Sequence, residues 1–132
     1  MSAARAVLPA LLFVMLSVVA SVAQAGHMVA RLQALDKVTA RISEIEAPLD
    51  VLVRFGRLGI IVRSCHKTPP EEPPESTAFI EIWEIEPGEQ ASQIYGGWMF
   101  ASSPGLSALE HPVYDVWVLE CVPHAPAASS DE

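Results

Sequence analysis

Apolar side chains recur at every second position over several short runs, a pattern that turns one face to a core and the other to solvent. Val38, Ala40 and Ile42 alternate with Lys37, Thr39, Arg41 and Ser43, and Val51, Val53 and Phe55 alternate with Leu52 and Arg54. Leu58–Cys65 is a β-branched run, set off from its predecessor by Gly56, which reads as a tight turn. Ala78–Ile85 is the cleanest strand, with Phe79 and Trp83 on one face and Ile80 and Ile82 on the other. The turn Glu86–Glu89 follows it, and Ile94–Phe100 and Val113–Cys121 complete the set, with Gly96 and Gly97 allowing a bulge or a close backbone approach. No 3.6-residue period runs through these segments. Ser103 as a cap and Pro104 at a first helical position predict one short helix or a compact loop. The expected fold is all-β: a small antiparallel β-sandwich or barrel of about six strands, with at most one short helix.

Two segments are of different material. His66–Thr77 contains Pro69, Pro70, Pro73 and Pro74 among Glu71, Glu72 and Glu75. Proline lacks the backbone donor a paired strand needs, so this reads as an extended, polyproline-like surface loop, an acidic connector. At the start of the chain, Arg5 precedes an apolar run from Ala6 to Ala20, and Ala23-Gln24-Ala25 places small residues at the two positions a signal peptidase reads. The run falls short of the roughly 20 residues that span a bilayer, and Pro9 weakens it as a helix. Residues 1–25 are therefore expected to be a cleaved secretory leader, cut between Ala25 and Gly26, with export to the periplasm. Membrane contact is confined to that leader before cleavage, since Gly26 and not a lipidated Cys follows the cut. Residues 26–32 read as a short lead, 33–122 as the β domain and 123–132 as a disordered tail.

Charge narrows the partners. The chain carries a formal net charge of −8, and removal of Arg5 with the leader makes it more acidic still. Nucleic acid and anionic lipid both demand a basic footprint, so neither is expected. Cys65 and Cys121 are the two cysteines. In an exported chain, a distant pair outside any C-x-x-C is expected to form a disulfide. Cys65, Trp83 and Cys121 follow the order of an immunoglobulin-like domain. Leu119 stands where the tyrosine corner would put Tyr, however, and little chain remains after Cys121 to supply a final strand.

Ser102, Ser103, His111 and Asp115 are residue types of a hydrolase triad, but no G-x-S-x-G elbow accompanies them. The simpler reading of Ser103, Glu110, His111 and Asp115 is a polar latch of turn and cap hydrogen bonds. A small hydrolase or ligand carrier using residues 102–115 remains the alternative. His27, His66, His111 and His124 are scattered without metal-ligand spacing, so neither a metal nor a cofactor is expected. The aromatic residues fall mostly in the second half. Core packing accounts for most of them, yet a domain this small rarely hides three Trp. Trp83, Tyr95, Trp98 and Trp117, with Glu71 and Glu72, are the candidate interaction surface, and an envelope protein is the expected partner.

Ala34–Thr39, Val53–Gly56, Cys65–Pro74 and above all Gly97–Trp117 (GWMFASSPGLSALEHPVYDVW) carry a family resemblance. From Leu35 to Cys121 the chain resembles exported alphaproteobacterial proteins that share a domain of unknown function, family 2155. The resemblance implies an envelope location and a paired Cys65–Cys121, and it implies no activity or catalytic residues. Members tend to be encoded beside an accessory subunit of respiratory complex I. An accessory or assembly role for a respiratory membrane complex is therefore an alternative to a non-catalytic interaction or structural module.

Overall fold

Two antiparallel sheets of four strands pack face to face in the computed structural model, which describes residues 28–124. The first hairpin joins β1 (Met28–Asp36) to β2 (Arg41–Pro48). The chain then crosses to the second sheet and runs as a meander through β3 (Leu52–Phe55), β4 (Leu58–Lys67), β5 (Ser76–Glu84) and β6 (Ser92–Phe100). A short helix α1 (Pro104–Ser107) leads back to β7 (Leu109–Glu110) and β8 (Tyr114–Pro123). The strand orders are β2-β1-β8-β7 and β3-β4-β5-β6. The chain is thus a sandwich of eight strands, two of them very short.

The inward faces follow the alternation. Leu32, Val116 and Val118 from the first sheet meet Ile60, Val62, Ile80 and Ile82 from the second, all buried. Three bulges interrupt the ladders, at Arg63, Ile94 and Leu119, each left without a partner across its register shift. Two of them decide where the cysteines point. In β4 the inward residues are Ile60 and Val62, so strict alternation would turn Cys65 outward; the extra Arg63 reverses the phase. In β8 the inward residues are Val116 and Val118, and the extra Leu119 turns Cys121 inward in the same way. The two sulfurs meet at bonding distance across the sheets, with Cα atoms 5.7 Å apart. Trp83 lies on an outer face and not over this bridge, which separates the arrangement from an immunoglobulin core.

Several sequence expectations are corrected. Met28–Leu32, expected as lead, is the first half of β1, because Val29, Ala30 and Leu32 are buried against the core. Val38 and Ala40 belong to a turn and not to a strand: Asp36 Oδ1 accepts the N–H groups of Val38 and Thr39, and Ala40 adopts φ 55°. The proline segment is not extended. It folds back as a hairpin loop in which Glu72 N–H donates to Pro69 O at 3.0 Å and Thr68 N–H to Glu75 O at 2.9 Å. The bulge in β6 falls at Ile94 and not at Gly96 or Gly97. Gly56 does form the β3–β4 turn, at φ 56°, with the Tyr114 hydroxyl packed so close that a Cβ would meet it. The leader and the tail beyond His124 lie outside the described residues.

Cys65 and Cys121 are 56 positions apart, so their bond removes the entropy of a long loop from the unfolded chain, worth ~4 kcal/mol on a chain-entropy basis. Reduction, or the pair Cys65→Ala and Cys121→Ala, is expected to lower the unfolding free energy by about 2–5 kcal/mol. Denaturant titration with and without reductant reads this directly, and an unchanged midpoint would show that the bond does not constrain the fold.

Candidate functional site

The outer faces of the two sheets differ in chemistry. On the first sheet, Arg31 pairs with Glu44 and Glu120, Gln33 stands beside Trp117, and Glu46 lies at the β2 edge. That face carries these charges together with Trp117, half-buried, and Ile42, 60% exposed. On the second sheet, register places Phe79 opposite Trp98, Thr77 opposite Phe100 and Trp83 opposite Gln93. Trp98 is 44% exposed, Phe100 39% and Leu52 49%. Trp98 and Phe100 lie together on the β6 edge, while Leu52 lies on the opposite edge, β3.

The aromatic groups support one another. Phe79 meets Trp98 edge-on at 5.4 Å, and the His66 ring lies tilted against Trp98 at 6.4 Å. The His66 ring nitrogen Nε2 shares a hydrogen bond of 2.8 Å with Ser64 Oγ, which orients the imidazole. Further along, Trp83 is half-buried, and its Nε1 is buried with no hydrogen-bond partner among the described residues. Arg63 divides the aromatic end from the Trp83 end: it binds Glu81 at 3.1 Å and Asp50 at 3.0 Å. None of the three Trp contributes to the buried core. Tyr95 points elsewhere, its hydroxyl donating to Ser107 O to hold α1 against β6, and burial pushes that phenol above its ordinary pKa.

Of the residues of the triad types, Ser102 has one set of partners and His111 and Asp115 another. Ser102 Oγ donates to the Glu75 carboxylate, which also accepts the N–H groups of Ser102 and Ser76, each at 3.0 Å. His111 Nδ1 accepts Val113 N–H at 3.1 Å, and its Nε2 faces Glu84 at 3.4 Å. Asp115 lies 2.8 Å from Lys37 Nζ, which also donates to His111 O at 2.9 Å. Lys37 therefore gathers His111 and Asp115 into one polar knot at the β1–β2 turn, with Glu110 opposite Asp115 in the ladder. Ser103 is not in it, and its side chain makes no cap bond to α1. Glu71 and Glu72 are exposed on the proline loop, which with Met28 and Pro123 lines an open, apolar groove of about 560 Å³.

A family model matches residues 30–121, from β1 to the second cysteine and across both sheets. The chain belongs to that family. Its description is "Uncharacterized protein conserved in bacteria (DUF2155)". An uncharacterized protein of Rickettsia prowazekii (strain Madrid E) is 31% identical over 88 residues, which are 67% of this chain and 57% of that relative. The chain thus spans little more than half the length of this relative. No solved structure matches the chain. The family match takes in the aromatic face and the Glu75–Ser102 clamp alike.

In the sequence Glu75 is one of three glutamates of the acidic proline segment, with nothing to set it apart. Its hydrogen bonds from the Ser102 hydroxyl and from backbone N–H groups hold its carboxyl below the usual carboxylate range. A depressed folded-state pKa stabilises the fold above the unfolded value of about 4.3, and that stability is lost as pH falls through the folded value. Glu75→Gln is therefore expected to lower the denaturation midpoint at neutral pH, with the two midpoints converging in acid. A gap that stays constant at every pH would show that the carboxylate charge is not what binds the 101–103 loop.

Proposed function

We propose that this chain is a non-catalytic interaction module of the bacterial cell envelope. Its leader, cut between Ala25 and Gly26, sends it to the periplasm, where it docks the outer face of the β3-β4-β5-β6 sheet on an envelope protein. The observation that carries this reading is the aromatic cluster on that face: Trp98 and Phe100 are exposed on one side of β6, with Phe79 and His66 packed against Trp98. Aromatic groups held by neighbours, as Trp98 is by Phe79 and His66, lose little further freedom on binding and make good anchors. The engagement of Ser102 by Glu75, and of His111 and Asp115 by Lys37, supports a binding role over a hydrolytic one.

Capture of partners from the native envelope by the oxidised protein tests the face. Trp98→Ala is expected to reduce retention of a specific partner by at least about tenfold, the scale of a lost aromatic anchor. Ile42→Ser on the opposite sheet and Glu72→Lys on the proline loop are expected to leave it unchanged. Retention that survives Trp98→Ala but fails with Glu72→Lys would move the site to the proline loop.

A further inference from the structure

β6 (Ser92–Phe100) is an open sheet edge, with β5 as its single neighbour. The other edges are guarded. β2 carries Arg41, Glu44, Glu46 and Pro48, β3 has 4 residues and β7 has 2. Past β7, the Cys121 N–H of β8 is taken by Ser76 Oγ at 3.0 Å. β6 runs for 9 residues with neither charge nor proline, and its one edge-guarding device, the bulge at Ile94, lies outside the Gly96–Trp98 stretch. Ala101 N–H donates to Ser76 O at 2.9 Å, and backbone groups alternate sides along a strand. Gly97 and Met99 therefore turn theirs to β5, while Gly96 and Trp98 turn theirs outward. Among the described residues, nothing bonds those outward groups of Gly96 and Trp98.

We propose that a second copy of this chain covers this edge, β6 against β6, antiparallel about a two-fold axis at Gly97. Unpaired N–H and C=O groups in strand geometry are complementary to another strand and to little else. Facing residues in an antiparallel pair share a sheet face, so the axis passes through a residue and not between two. At Gly97 it sets Trp98 opposite Gly96 of the second copy, twice over. Each such pair exchanges two backbone hydrogen bonds, and Gly96, having no side chain, leaves room for the Trp98 ring. The exposed Gln93 side chain, which now lies over Gly96, swings aside.

Closure favours a copy over a foreign strand. The net charge of −8 opposes self-association, and β6 adds no charge of its own to that repulsion. Joining two β6 strands fuses two sheets into one whose remaining edges are the short β3 strands, so pairing stops there. An added foreign strand would present its own open edge. The inference rests on the backbone edge; because Trp98 belongs to both the edge and the docking face, protection of the Gly96 and Trp98 amides is the readout that separates the two.

Sedimentation equilibrium of oxidised protein lacking residues 1–25, combined with amide hydrogen exchange over a concentration series, tests it. The expected result is a reversible dimer that tightens with added salt, as repulsion between acidic copies is screened. Amides of Gly96 and Trp98 gain protection as concentration rises. Trp98→Lys weakens association at least about tenfold, whereas Leu106→Lys, exposed on α1, does not. A monomer at every concentration with fast exchange at Gly96 and Trp98 would overturn the proposal. So would a dimer that leaves those two amides unprotected, a readout that needs no variant to fold.

Discussion

The two sheets of a sandwich hold together through side-chain packing, and here that packing is pinned at one point by Cys65 and Cys121. The pin depends on two irregularities. Arg63 and Leu119 are extra residues in their ladders, each two positions before a cysteine, and each reverses the alternation so that the sulfur faces inward. Without either bulge, one cysteine would face solvent on the far side of its sheet. Ser76 reinforces the same corner: it is buried, accepts Cys121 N–H with its hydroxyl, and accepts Ala101 N–H with its carbonyl. Glu75, next to it, holds the loop after β6. Disulfide, buried serine and carboxylate clamp therefore tie β4, β5, β8 and the 101–103 loop into one unit.

That corner leaves the outer faces free to diverge. The first sheet surrounds Arg31 with Glu44 and Glu120, an exposed set whose contribution to stability is small but whose hydration keeps the face open to water. The second sheet exposes aromatic groups whose geometry is set by each other, Phe79 against Trp98 and His66 against Trp98. Both properties arise from the outward positions of strands whose inward positions are aliphatic. A sandwich core of Leu, Ile and Val supports either kind of surface, so the difference between the faces is not required by folding.

Much of the architecture was legible in the residues. Ala78–Ile85 reads as a strand because its inward Ile80 and Ile82 alternate with outward Phe79, Glu81 and Trp83, and the register bears this out. Gly56 reads as a turn because a positive φ favours a residue without Cβ. Other elements were hidden by the same rules. Val38 and Ala40 continue an alternation that the Asp36 side chain ends by capping a turn. The prolines suggest extension, yet two backbone hydrogen bonds close the loop on itself. The bulges were hidden because the segments that carry them, Leu58–Cys65 and Val113–Cys121, do not alternate strictly, so a change of phase at Arg63 or Leu119 does not stand out.

The candidate site divides along the same line. Composition and spacing were enough to single out a pair of cysteines, an antiparallel sandwich-or-barrel class of fold and an excess of Trp over what a small core holds, because burial and period two are local properties of sequence. Only the folded arrangement decided which Trp faces solvent, which carboxylate binds a loop, and that Lys37 gathers His111 and Asp115 while Ser102 turns to Glu75. Those outcomes depend on register across strands far apart in the chain. One bulged residue is enough to exchange the two faces of everything that follows it.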